Sequence, residues 1–323
     1  MLNNNGKVLY CHQVPPHYQE KFILSGYRYR FSLTDCLRSI FDVHNETLNF
    51  WTHFVPAWYF FWHLIFLLDT HDFINDRYSW PLFAFMIASC AYPFSSSFAH
   101  LLCSMSHRTR HICFFFDYAG LSFYAFGVAI AYRAYAMPAM LLGTTYATLY
   151  LYSCFAVCLL CTVVTCLSRL LLEHFKYSKT LKIAAFCVMY FWVSAPVMYR
   201  LSLYAAEDPY ANSHWVFRKQ FVLAFVTCFL YATHIPERFM PGKFDFIGHS
   251  HMLFHMSSVM ATNEQINALL IDMKQRKDDV LDAGDVLPFT WSIGALCLLT
   301  VMNLVIVFTF IVYLYRSDHG HDD

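Results

Sequence analysis

Four stretches of this chain, residues 80–104, 112–132, 144–168 and 289–315, stay apolar for more than twenty residues each and carry almost no charge. A helix crossing the hydrocarbon layer of a membrane needs about 20 such residues. In lipid, every backbone amide must find its partner within the protein, so runs of this length are expected to be helices. Four further runs are shorter or interrupted by polar residues: 48–68, 183–199, 217–235 and 247–270. The reading is an all-α polytopic membrane protein with eight spans. The seventh is the weakest, because its apolar core ends near Thr262. Composition agrees: 14% of the residues are charged and 58% are apolar, against about 25% charged in soluble domains. A soluble globular domain, a disordered chain and a basic nucleic-acid binder are thereby excluded.

Orientation follows from where the basic residues fall in short connections. With the N-terminus in the cytoplasm, the 22 Lys and Arg divide 14 inside to 8 outside, which favours both termini inside. The chain then divides into a cytoplasmic segment (1–47), a transmembrane domain (48–315) and an acidic tail (316–323). Residues 22–43 mix aromatic and aliphatic side chains with Arg28, Arg30, Asp35, Arg38 and Asp42. They read either as an amphipathic helix on the inner membrane face or as a solvated connector. The first ten residues hold no sustained apolar run, so no cleavable signal is expected. Most of the 12 cysteines fall in apolar runs and read as buried thiols rather than a disulfide framework.

Ionisable groups at membrane depth are costly and mark candidate sites. The third span has one charge, Asp117; the second carries Ser96 and His100 near its end; the seventh opens with His249, His251 and His255. The end of span two, the start of span three and the start of span seven share one membrane face, the cytoplasmic one in this orientation. Residues four apart occupy one side of a helix, so His251 and His255 can reach one ion, whereas His249 points elsewhere. Three imidazoles with one position left for water form a zinc shell of the catalytic type, and Asp117 could hydrogen-bond that water. On spacing alone, a hydrogen-bonded interior role for these histidines stays open.

With these residues in hand, the chain resembles the progestin and adipoQ receptor family. The resemblance rests on Asn45-Glu46-Thr47-Leu48-Asn49-Phe50-Trp51-Thr52-His53, on Ser96-x-x-x-His100, on Asp117-Tyr118, and on Pro241-Gly242-Lys243-Phe244-Asp245 leading into His251-x-x-x-His255. The eighth span and the stretch Tyr78-Ser79-Trp80-Pro81 are similar to the membrane progestin receptor branch, in particular its gamma and delta members. The resemblance implies a seven-helix core with a zinc site and an added C-terminal span. It implies zinc on His100, His251 and His255, with Asp117 contacting the zinc-bound water. It also implies a plasma-membrane steroid (progestin) receptor signalling outside the nucleus, with membrane lipids and G proteins as partners and no nucleic acid. The wider group includes alkaline ceramidases, so a zinc-dependent lipid-amide hydrolase using Asp117 and Ser96 is the alternative. A third reading gives the metal only a structural role, fastening spans two and seven. The adiponectin-receptor branch has Gln in place of His249 and lacks the eighth span, so its ligand is not carried over.

Overall fold

A computed structural model describes residues 8–171, 175–203 and 205–318. Among these, regular structure is helical apart from a single antiparallel bridge between Leu9 and Tyr27. A short helix, α1 (Leu33–Arg38), is followed by α2 (Thr47–Thr70), α3 (Trp80–Leu102) and α4 (His107–Ala131), which continues through a π-helical turn, Tyr132–Ala136. Then come α5 (Thr145–Leu170), α6 (Ser178–Ser202), α7 (His214–Thr233), α8 (Ser250–Asp282) and α9 (Ile293–Asp318). Of the tail expected at 316–323, residues 319–323 lie outside the described residues.

Six helices are long and apolar enough to cross a membrane: those running through Arg77–Leu102, His107–Ala136, Thr145–Leu170, Ser178–Ser202, Ala211–Thr233 and Ile293–Arg316. The protein is therefore a multi-pass membrane protein. By length α2 and α8 could also span; His53, His63 and the Trp and Tyr residues lower the hydropathy of the otherwise apolar α2, and α8 is polar along much of its length. In α8 the cause is a stripe on one side of the helix: His251, His255, Ser258, Thr262, Gln265, Asp272 and Arg276, spaced by three, four or seven. Its members face the bundle. Thr262 Oγ1 lies 3.0 Å from both the Tyr92 and Tyr124 hydroxyls, and the Gln265 amide donates to the Tyr132 hydroxyl at 2.5 Å. The sequence places the end of this span near residue 270; the helix continues to Asp282 and is about 50 Å long.

The centre of the bundle is α3, packed between α2 and α4. Close approach depends on small residues, as in other membrane bundles. A Cβ added at Gly120 of α4 would stand 2.3 Å from Ser95 Oγ, and one at Gly127 would stand 2.7 Å from the Ala88 Cβ. This contact sets α4, with Asp117, directly against the half of α3 that carries Ser96 and His100. α9 packs on α4 and α5, where Thr162 Oγ1 donates to Asn303 Oδ1 at 2.9 Å and lies 2.8 Å from Ser122 Oγ. All 12 cysteines are free thiols.

The segment 22–43 is neither one amphipathic helix nor a solvated connector. Positive φ at Phe22, Gly26 and Arg30 breaks any continuous helix there, and only α1 and one 3-10 turn form. Val14, Tyr18, Ile23 and Tyr27 make a small core of their own. From it the buried Arg28 donates to the main-chain oxygens of His100 at 2.8 Å and Leu101 at 3.1 Å, and to Ser39 Oγ at 2.9 Å. A guanidinium at these carbonyls satisfies the otherwise open C-terminal end of α3 and complements its dipole.

Candidate metal centre

Three imidazoles meet where α3 ends and α8 begins. One ligand atom from each of His100, His251 and His255 lies within 4.8 Å of the other two. His100 and His255 are buried, and His251 is half-buried. The fixed tautomers matter as much as the distances. The Nδ1 of His100 donates to Glu46 Oε2 at 2.7 Å, and the Nδ1 of His255 donates to the Asn49 carbonyl at 3.2 Å with Thr52 Oγ1 at 3.2 Å. Both rings therefore keep Nε2 free of a proton and turned inward. The Nε2 atoms of His100 and His251 stand 3.2 Å apart. Two nitrogens on one tetrahedral zinc ion, each about 2.0–2.1 Å from it, stand roughly 3.3 Å apart. The residues fit a zinc ion.

Glu46 precedes the first turn of α2 and is itself buried. Burial opposes its ionisation, but the His100 ring and the Asn49 amide, which donates at 2.7 Å, outweigh burial and hold the carboxyl well below the usual range. A carboxylate on the far nitrogen of a metal-binding imidazole fixes the ring and raises its basicity. Ser96 is buried one turn before His100, and Asp117 is half-buried. The groups acting on the Asp117 carboxylate are His100, the Ser96 hydroxyl and Arg169. Arg110 is instead paired with Glu20 at 2.8 Å. His249 sits at the N-cap of α8, where its Nδ1 accepts from the Met252 amide at 3.3 Å.

The structure thus brings together His100, His251 and His255, with Ser96 and Asp117 beside His100. Sequence reasoning assigned no role to Glu46, just before the first span, or to Asn49, Thr52 and His53 within it. The signal was present: the start of span one shares a membrane face with the end of span two, and Asn49 and His53 are four residues apart. The loop before α8 adds Glu237, which accepts from the Ser250 amide at 2.7 Å and from the Ser250 hydroxyl. Burial would raise its carboxyl, yet hydrogen bonds from His234 and Ser250 bring it down to about 2.

The family model described as Haemolysin-III related matches residues 41–266. Membrane progestin receptor gamma-B of Danio rerio is 41% identical, over 97% of this chain and 95% of its own length. Membrane progestin receptor delta of Homo sapiens is 40% identical, over 96% of this chain and 92% of its own. Membrane progestin receptor gamma of Homo sapiens is 39% identical, over 94% and 93%.

Proposed function

The chain belongs to the haemolysin-III related family, within its progestin and adipoQ receptor group, and from that premise we propose that it is a membrane steroid receptor of the progestin-responsive kind. What carries this reading is likeness to membrane progestin receptors along nearly the whole chain, rather than over the histidine end alone. It would act at the plasma membrane with the N-terminus in the cytoplasm, signalling outside the nucleus through G proteins or a lipid product. All eight long helices would cross the bilayer, with α2 and α8 tolerated as spans because their polar sides face protein. His100, His251 and His255 would hold zinc. The test is saturable progestin binding by purified protein in nanodiscs together with metal analysis. Absence of binding across progestins removes the receptor reading, and absence of zinc removes the metal.

One observation favours a second reading: Ser96 and Asp117 are gathered beside His100. A bound zinc ion would supply Lewis acidity toward a lipid amide carbonyl and toward water. Asp117 would take up a proton from that water as base, Ser96 would orient Asp117, and the apolar helices would keep bulk water away. Release of fatty acid from ceramide-like amides, measured on the same sample and lost in Asp117→Ala while zinc is retained, supports a hydrolase. Zinc without turnover on any sphingolipid amide leaves the metal as a fastener of α3 to α8.

A further inference from the structure

Two polar side chains beside the imidazoles, Asn49 and His53, keep polar atoms that hydrogen-bond to none of the three ligands. Asn49 and His53 lie one turn apart on α2 and are 4% and 3% exposed. Asn49 Oδ1 and both ring nitrogens of His53 have no hydrogen-bond partner among the described residues. The orientation of the Asn49 amide is fixed, because its nitrogen faces the Glu46 carboxylate; a flip would set oxygen against oxygen. Buried polar atoms are nearly always paired, so three unpaired ones within two turns of a helix point to something they receive.

The geometry excludes His53 as a fourth ligand in its present pose. Its ring stacks on His255 with centroids 3.7 Å apart and planes 16° from parallel. An ion bound to His255 lies in the plane of that ring, about 2.0–2.1 Å from its nitrogen. The lone pair of His53 lies in a separate, nearly parallel plane, displaced from that ion by about the stacking distance. Tyr92 closes the other side, its ring edge-on to His53 at 5.9 Å and its hydroxyl engaged with Thr262. A neutral imidazole offers one donor and one acceptor, and Asn49 Oδ1 adds an acceptor. One donor and two acceptors match a neutral group bearing both an oxygen acceptor and an O–H or N–H. They do not match a carboxylate, which has only acceptors.

We propose that Asn49 and His53 form a subsite for the neutral oxygen-bearing head of a molecule bound at the metal centre. This rests on the metal reading above, and the experiment separates the two. The full-length chain in nanodiscs is loaded with cobalt(II), whose visible absorption reports its ligands, and titrated with acetohydroxamate, which chelates the metal through its two oxygens with loss of the hydroxyl proton and still presents an N–H donor beside oxygen acceptors. His53→Phe keeps the ring stack and removes the polar edge; His53→Gln restores a donor and an acceptor. Wild type and both variants should bind cobalt equally. His53→Phe should bind acetohydroxamate about tenfold more weakly, with His53→Gln recovering most of the loss. Asn49→Ala, an independent arm, should weaken the probe several-fold. Equal affinity in wild type and His53→Phe overturns the subsite, as does equal weakening in both His53 variants, which marks a packing role. Loss of cobalt from His53→Phe makes it a ligand and also overturns the proposal. If wild type binds no cobalt, the metal reading and the subsite fall together.

Discussion

The two ends of α8 receive the same material, ionisable side chains buried in an apolar bundle, and use it in opposite ways. Near Asp272 the charges close on one another. Arg200, about 1% exposed, donates from Nε to Asp208 at 2.5 Å, from Nη1 and Nη2 to Asp272 at 2.5 and 3.2 Å, and from Nη2 to the Tyr210 carbonyl at 2.7 Å. Arg276 donates to the Tyr135 carbonyl at 2.5 Å, and His214 Nε2 lies 2.5 Å from Asp208. About 30 Å away along the helix, three imidazoles turn nitrogens toward a common point that holds no carboxylate, and Asn49 and His53 keep atoms unpaired. A closed ion-pair network is a fastener: it leaves nothing to bind. Converging lone pairs are an incomplete arrangement until a cation joins them.

The largest effects should separate these ends. His255→Ala leaves two converging imidazoles, and metal content measured by mass spectrometry should fall from about one per chain to background; retention of a full equivalent would break the contrast. Asp272→Ala should do the reverse. It takes from the buried Arg200 guanidinium its two hydrogen bonds to Asp272 and leaves it Asp208 and the Tyr210 carbonyl, at a cost of about 3 kcal/mol in chemical denaturation, while metal content stays at the wild-type level.

Acid should sharpen the comparison further, because the loop carboxylate at the start of α8 has a defined window. Glu237 titrates near 2 in the folded protein and near 4.5 when free. Its folded pKa is depressed, so its contribution is complete above the unfolded value and disappears as pH falls from about 4.5 to 2, on the order of 1–2 kcal/mol once solvent screening is allowed for. Other carboxylates also take up protons in that window. The measurement is therefore the difference in stability slope between wild type and Glu237→Gln, and identical slopes would reject the assignment. An effect of similar size is expected from Glu46→Gln, which leaves three ligands but removes the carboxylate from His100. Competition with a chelator should show metal affinity lowered roughly 10- to 100-fold. An unchanged value would leave the Glu46–His100 hydrogen bond without a role in metal binding.

Much of this contrast can be read from sequence, for identifiable reasons. The convergence of His100, His251 and His255 follows from topology, since successive helices alternate in direction, and from the four-residue spacing in α8. Asp117 is visible as a lone charge in an apolar run. Arg200 and Asp272 are not legible as partners, because each falls in a connection between apolar runs, where a basic or acidic residue is ordinarily solvated. The segment 22–43 misleads because its alternation of apolar and charged residues mimics an amphipathic face. Arg28 is in fact spent on the end of α3 and Asp35 on capping α1, and positive φ at three positions interrupts the helix. The length of α8 is hidden because its polar stripe lowers hydropathy just where the helix continues.

The smallest predicted effect concerns the packing that seats Asp117. Gly120 follows it by three residues, and the Ser95 hydroxyl occupies the space a methyl group there would need. That hydroxyl donates to the Tyr92 carbonyl at 2.9 Å, so Gly120→Ala must either break this bond or push α4 off α3, at about 1–2 kcal/mol. Ser95→Ala alone leaves a shallow gap at low cost. Because the obstruction is a side-chain oxygen rather than backbone, the pair should be coupled: Gly120→Ala with Ser95→Ala should recover roughly 1 kcal/mol relative to the sum of the single variants. Metal content should hold throughout, since no ligand moves with α4. A strictly additive cycle would show that the helices part along their whole length, and the closeness of α3 and α4 would then not depend on this one contact.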